Sequence, residues 1–250
     1  MLGWIVSGKS AATNAILKKE LASPSKTERC ERHTGLVDGR QVTVVDTPGW
    51  WKFFPAQFTT DCVKTELKKS VTLGSKSPHV LLLVVPADVS FLEEQRKITE
   101  DNMKMFGEQV WRHTMVLFNW GHSLGNTSIE EHIESEGEPL RWLVEKCGNR
   151  YHVFDSVSVS HGDGSQVQQL LEKIDELEAS LDFYDLTQEA PKTEITQNYE
   201  KVDEMTELLD KEWNRRDKEL EERVKSIWEE TFGSAMEGNR SIDWMDDCKK

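Results

Sequence analysis

Apolar residues in the first part of the chain fall into two kinds of run. Some are short and continuous, notably VLLLVV (Val80–Val85) and HTMVLF (His113–Phe118, followed by Asn119). Runs of that length and character predict strands buried on both faces, as in a parallel sheet. TGLVDGRQVTVVDTPG predicts two more strands joined at Asp38-Gly39, a residue pair suited to a tight hairpin. The second of these, Gln41 to Val45, runs directly into Asp46-Thr47-Pro48-Gly49. YHVF (Tyr151–Phe154) is a weaker last strand.

Between these runs the apolar positions recur at helical spacing. Helices are expected from Lys9 to about Leu21, from Leu92 to Phe106, and from Val167 to Leu181. Another opens at Ser128, with Glu131 in capping-box spacing, and closes at Gly148. Strands alternating with helices predict an α/β fold on a mostly parallel sheet. Beyond Asp182 the pattern changes. A polar linker (182–192) precedes a stretch dense in Glu, Lys and Arg (193–232), where Val202, Met205, Leu209, Trp213, Leu220, Val224 and Ile227 form one narrow apolar stripe. That predicts a long charged helix, which either packs on its own domain or pairs with a helical partner. The tail (233–250) carries no clear pattern.

Composition narrows the function. With 31 basic against 45 acidic residues and a net charge of -14, the chain lacks the basic surface needed to neutralise nucleic-acid phosphates or to hold a polybasic membrane contact. No apolar run approaches the roughly 20 residues of a membrane span, and the N-terminus does not read as a signal peptide. Cys30, Cys62, Cys147 and Cys248 are scattered, with no C-x-x-C pair. They suggest a reduced cytoplasmic protein without a zinc site or a disulfide framework.

Two motifs carry the chemistry. Gly3-Trp4-Ile5-Val6-Ser7-Gly8-Lys9-Ser10 has the G-x-x-x-x-G-K-S spacing of a phosphate-binding loop, with Ala11 opening the helix behind it. In such a loop glycines turn backbone N–H groups toward phosphate oxygens, the lysine supplies positive charge, the serine hydroxyl meets Mg2+, and the helix dipole favours the anion. Asp46, at the end of an apolar strand, is then expected in the Mg2+ shell, and Gly49 as the sensor of the γ-phosphate. Together these predict a P-loop NTPase. Only Met1 and Leu2 precede the loop, so its supporting first strand is expected to be missing from the sheet. The sequence reads as a truncated form.

SGKSAATNAIL, VTVVDTPGWW, PHVLLLVV, MFGEQVWRHTMVLF and IESEGEPLRWLVEKCGNRYHVF resemble the GIMAP family of immunity-associated GTPases, relatives of septins and Toc GTPases, and among them the fish branch. The likeness covers about Leu2 to Leu181. It implies a G domain (1–181), a doubly wound α/β P-loop fold followed by a C-terminal helix. It also implies GTP or GDP with Mg2+ as ligands, slow hydrolysis, and homodimers or oligomers formed through the switch regions. A cytoplasmic location, with access to an organelle membrane through partners, goes with it.

The sequence departs from that family at several places. The acidic base reader of T-x-x-D falls in Asn119-Trp120-Gly121-His122, with His122 in the acidic place. Asp155 stands where the family has a further asparagine. A neutral imidazole offers one acceptor at most, so a relaxed guanine preference is expected. Asn119 is assigned to holding the loops and Trp120 to stacking on the purine. Ile5 and Val6 are bulky, and Trp50-Trp51 follow Gly49 in place of a glutamine that would orient water. Thr27 is the candidate switch threonine beside Mg2+. The rival reading is a pseudo-GTPase that serves as an interaction scaffold.

Overall fold

The computed structural model describes residues 1–19, 27–74, 78–156 and 164–180, all within the first of two compact units, Met1–Thr196. The expected linker, charged helix and tail lie outside these residues.

The hairpin forms as its turn residues dictate. Strands β1 (Glu31–Val37) and β2 (Arg40–Asp46) pair antiparallel, with Val37 opposite Arg40. Asp38 and Gly39 both take positive φ (49° and 80°), the backbone that a two-residue hairpin requires. Strands β3 (Leu81–Pro86), β4 (Thr114–Asn119) and β5 (Tyr151–Val153) form a parallel sheet in the order β3-β4-β5. Every residue of β3 and β4 is buried, which explains their unbroken apolar runs.

The place of the first strand is not empty, and the expectation of a missing strand is corrected to that extent. Met1 to Trp4 form a stub between β2 and β3. Leu2 lies parallel to Leu83, donating its N–H to Leu82 O and accepting from Val84 N, each at 2.8 Å. Trp4 lies parallel to Trp50, and Ile5 N donates to Trp50 O at 2.8 Å. The hairpin and the parallel sheet are thus joined through these few residues. In line with the stub, a cavity of about 520 Å³ runs between β2 and β3, lined by Thr43, Val80, Leu82, Leu170 and Ile174 among others.

Helices cover both faces. Leu83, Val85, Val116 and Phe118 pack with Leu67, Ile98, Leu140 and Leu143, which come from α2 (Asp61–Ser70), α3 (Glu93–Met103) and α5 (Glu138–Lys146). Leu82, Val84, Met115 and Leu117 pack on the other face with Ala12, Ile16, Leu170 and Ile174, from α1 (Lys9–Leu17) and α6 (Ser165–Ser180). Alternate residues of one strand entering opposite cores make the sheet doubly wound.

Three elements differ from the sequence reading. Helix α1 ends at Leu17, where Lys18 turns left-handed. The helix expected from Ser128 to Gly148 is two, α4 (Ile129–Glu136) and α5, because Gly137 (φ 88°) breaks the run. Helix α2 was not anticipated. Its residues are mostly polar, and only Leu67 and Ser70 are buried. No helix among the described residues is long and apolar enough to cross a membrane.

Candidate functional site

The Gly3–Ser10 loop leaves the stub and wraps into α1 under close backbone constraints. A Cβ at Gly3 would lie 2.8 Å from Val84 O, and one at Gly8 (φ 86°) would lie 2.1 Å from Asn119 Nδ2. Val6 also takes positive φ (65°), and its side chain points to solvent, 72 % exposed. Gly8 sits at the N-cap of α1 and offers no side-chain cap. The first-turn N–H groups, at Lys9, Ser10 and Ala11, therefore have no side-chain acceptor from the cap, and they suit an anion.

Lys9 is buried behind the loop, its Nζ donating to Trp4 O at 2.8 Å and Gly3 O at 3.4 Å. Burial pulls its ammonium down to about 8, while the Asp46 carboxylate opposes that shift. A bound phosphate would supply the missing negative charge. Ser7 Oγ is buried in the same loop with no partner among the described residues. Such a hydroxyl is costly unless a ligand satisfies it.

An oxygen cluster lies beside the loop. Ser10 Oγ donates to Asp46 Oδ2 at 2.5 Å and lies 3.2 Å from Thr27 Oγ1. Asp46 is 4 % exposed, and its other oxygen accepts from Thr47 N at 3.0 Å. All three candidate metal residues are brought together. No group of three or more His, Cys, Asp or Glu among the described residues is placed to hold a metal. Two hydroxyls and one carboxylate instead fit Mg2+, which keeps waters and takes its remaining oxygens from phosphates.

Gly49 lies against the loop backbone: a Cβ there would be 2.4 Å from Ile5 N. Trp50 is a core residue, 1 % exposed. Trp51 is half-buried and packs edge-on against Phe54 at 6.1 Å. Neither is a side chain that orients water.

The remaining candidates meet where β4 and β5 end. Asn119 is fully buried, donating Nδ2 to Gly8 O at 3.3 Å and accepting from Ser156 N at 3.4 Å. Trp120 takes positive φ (58°) and reaches over the loop, 3.3 Å from a Cβ at Gly8. Gly121 N donates to Phe154 O at 3.1 Å. His122 Nδ1 lies 2.9 Å from Asp155 Oδ1. Sequence reasoning treated these two residues as separate departures, but the structure joins them. It also missed Gln166 of α6, whose Oε1 accepts from Asp155 N at 2.9 Å, and no motif marks that residue.

The AIG1 family model matches residues 1–206. The human GTPase IMAP family member 8 is 30 % identical over 183 residues, covering 71 % of this chain and 27 % of that protein. Immune-associated nucleotide-binding protein 5 of Arabidopsis thaliana is 26 % identical over 185 residues, covering 71 % of this chain and 60 % of that protein. The chain thus spans about a quarter of the first relative and under two thirds of the second. Among solved structures, Toc33 from Arabidopsis thaliana in complex with GDP and Mg2+ superposes with a TM-score of 0.55 at 17 % identity, covering 71 % of this chain and 81 % of that one. That likeness shows the fold, a P-loop G domain.

Proposed function

Given that the chain belongs to the AIG1 family, we propose that it binds GTP or GDP with Mg2+ on the Gly3–Ser10 loop and acts as a slow GTPase. The observation that carries this reading is the Ser10–Asp46–Thr27 oxygen cluster beside Lys9, at the uncapped start of α1. Lys9 and the N–H groups from Gly8 through Ala11 hold the phosphates, while Ile5 N and Ser7 N, bonded to Trp50 O and Trp4 O, shape the loop. Ser10, Asp46 and Thr27 would hold the metal. Gly49 offers its N–H to the γ-phosphate. Mg2+ supplies charge neutralisation between the phosphate oxygens when bound.

Slow turnover fits the burial of Trp50 and the half-burial of Trp51, which leave the stretch after Gly49 without a water-orienting amide. At the far end Asn119 ties the base loop to Gly8, Trp120 stacks on the purine, and Gly121 and His122 face its edge with Asp155 hydrogen-bonded behind His122. Self-association through the switch regions is part of the same reading. Phe53, next to Gly49–Lys52, is 73 % exposed, and Val6 on the loop is 72 % exposed. Two large apolar side chains held in solvent near the nucleotide suit a second copy of this chain.

The test is binding of fluorescent GDP to the full chain with Mg2+ and to the variants Lys9→Ala and Ser10→Ala. Each variant is expected to lose about a hundredfold or more in affinity while its melting transition survives. Variant affinities equal to that of the natural chain would overturn the reading.

A further inference from the structure

We infer that His122 and Asp155 act as one hydrogen-bonded unit that reads the base through a single imidazole acceptor. The site then takes 6-oxopurine nucleotides and does not register the 2-amino group of guanine. The inference rests on the reading of Gly3–Ser10 as a nucleotide site.

The unit is built from both sides. Asn119 fastens the end of β4 to Gly8, which sets the short Gly121–Leu124 turn beside the phosphate loop. Asp155 follows β5, is 5 % exposed, and has its N–H fixed by Gln166. Its Oδ1 lies 2.9 Å from His122 Nδ1, while the His122 side chain is 56 % exposed. An ionised carboxylate only accepts, so the proton between the two belongs to Nδ1. In the neutral ring Nε2 then carries a lone pair, and it has no partner among the described residues.

That geometry sets the base class. Guanine and hypoxanthine both present N1–H, a donor to Nε2. Adenine presents a lone pair at N1, which Nε2 repels. A carboxylate in the place of His122 would offer two acceptors, one for N1–H and one for the 2-amino group. The ring has only one to give, and of the Asp155 carboxylate behind it Oδ1 is already engaged by Nδ1. Asp155 is a positioning residue, acting on the base through the tautomer it imposes.

The experiment compares GDP, inosine diphosphate and ADP by calorimetry on the full chain with Mg2+ at mildly alkaline pH. The natural chain is expected to bind GDP and inosine diphosphate within about threefold of each other, and ADP at least about tenfold more weakly. In Asp155→Asn the side-chain amide can donate to Nδ1, which moves the proton to Nε2. The GDP-to-ADP ratio should then fall by about tenfold or more with little change in melting temperature. The double variant His122→Asp with Asp155→Asn should favour GDP over inosine diphosphate by about tenfold. A natural chain that prefers GDP to inosine diphosphate by more than about tenfold, or an Asp155→Asn variant with an unchanged GDP-to-ADP ratio, overturns the inference and leaves the nucleotide site standing. Failure of all three nucleotides to bind overturns the site and the inference together.

Discussion

A methyl group added at Gly49 would lie 2.4 Å from Ile5 N and 2.6 Å from the Trp4 carbonyl carbon, whereas one at Gly137 would meet nothing within 4 Å. Gly49→Ala must push backbone against backbone and is expected to cost about 3 kcal/mol. Gly137→Ala carries only the strain of its φ of 88° and should cost about 1 kcal/mol. Urea unfolding of the two variants separates these expectations. His152 ties stability to pH. It is 2 % exposed, with Nε2 2.9 Å from Gln166 O. Burial pulls it from 6.5 down to about 4, with Lys173 adding and the Gln166 carbonyl opposing. The folded value lies below the unfolded one, so the neutral ring's contribution is complete above about 6.5 and is lost as pH falls through about 4. About 3 kcal/mol is at stake. His152→Gln should flatten the fall in unfolding free energy over that window, and an unchanged slope would contradict the assignment.

At the scale of elements, the stub is the piece on which the sheet depends. Leu2 is 1 % exposed and bonded through its backbone to Leu82 and Val84, so Leu2→Ala should cost about 3 kcal/mol and lower the melting temperature by several degrees. A loss below about 0.5 kcal/mol would mean that the stub does not join the hairpin to the parallel sheet. The hairpin and the strands β3 and β4 were legible in the sequence. Asp38-Gly39 is a pair suited to a tight hairpin, and burial on both faces keeps β3 and the middle of β4 (Met115–Phe118) apolar. Helix α2 was not legible because it buries little, and its start is marked only by Thr60, whose hydroxyl accepts from Val63 N at 3.3 Å. The division of α4 from α5 turns on the backbone of Gly137, which the continuous helical spacing on either side conceals. The stub was misread because two residues are too few to show a strand pattern. Their pairing is set by Leu83 and Trp50, far along the chain.

For the whole molecule, the phosphate end was legible because its chemistry is local. The loop motif and Asp46 each announce themselves, and the fold brings Ser10, Asp46 and Thr27 within hydrogen-bonding range. The base end was legible only as two separate oddities, since 33 positions separate His122 from Asp155 and nothing in either segment foretells their contact. In the proposed reading both ends serve one ligand. The most direct test of that account is a calorimetric titration of the full chain with GDP, in Mg2+ and again in excess chelator. Saturable binding of one nucleotide per chain at micromolar or tighter affinity is expected, weakened by about tenfold or more when the metal is removed. A cooperatively melting protein that takes up no GDP in Mg2+ would contradict it.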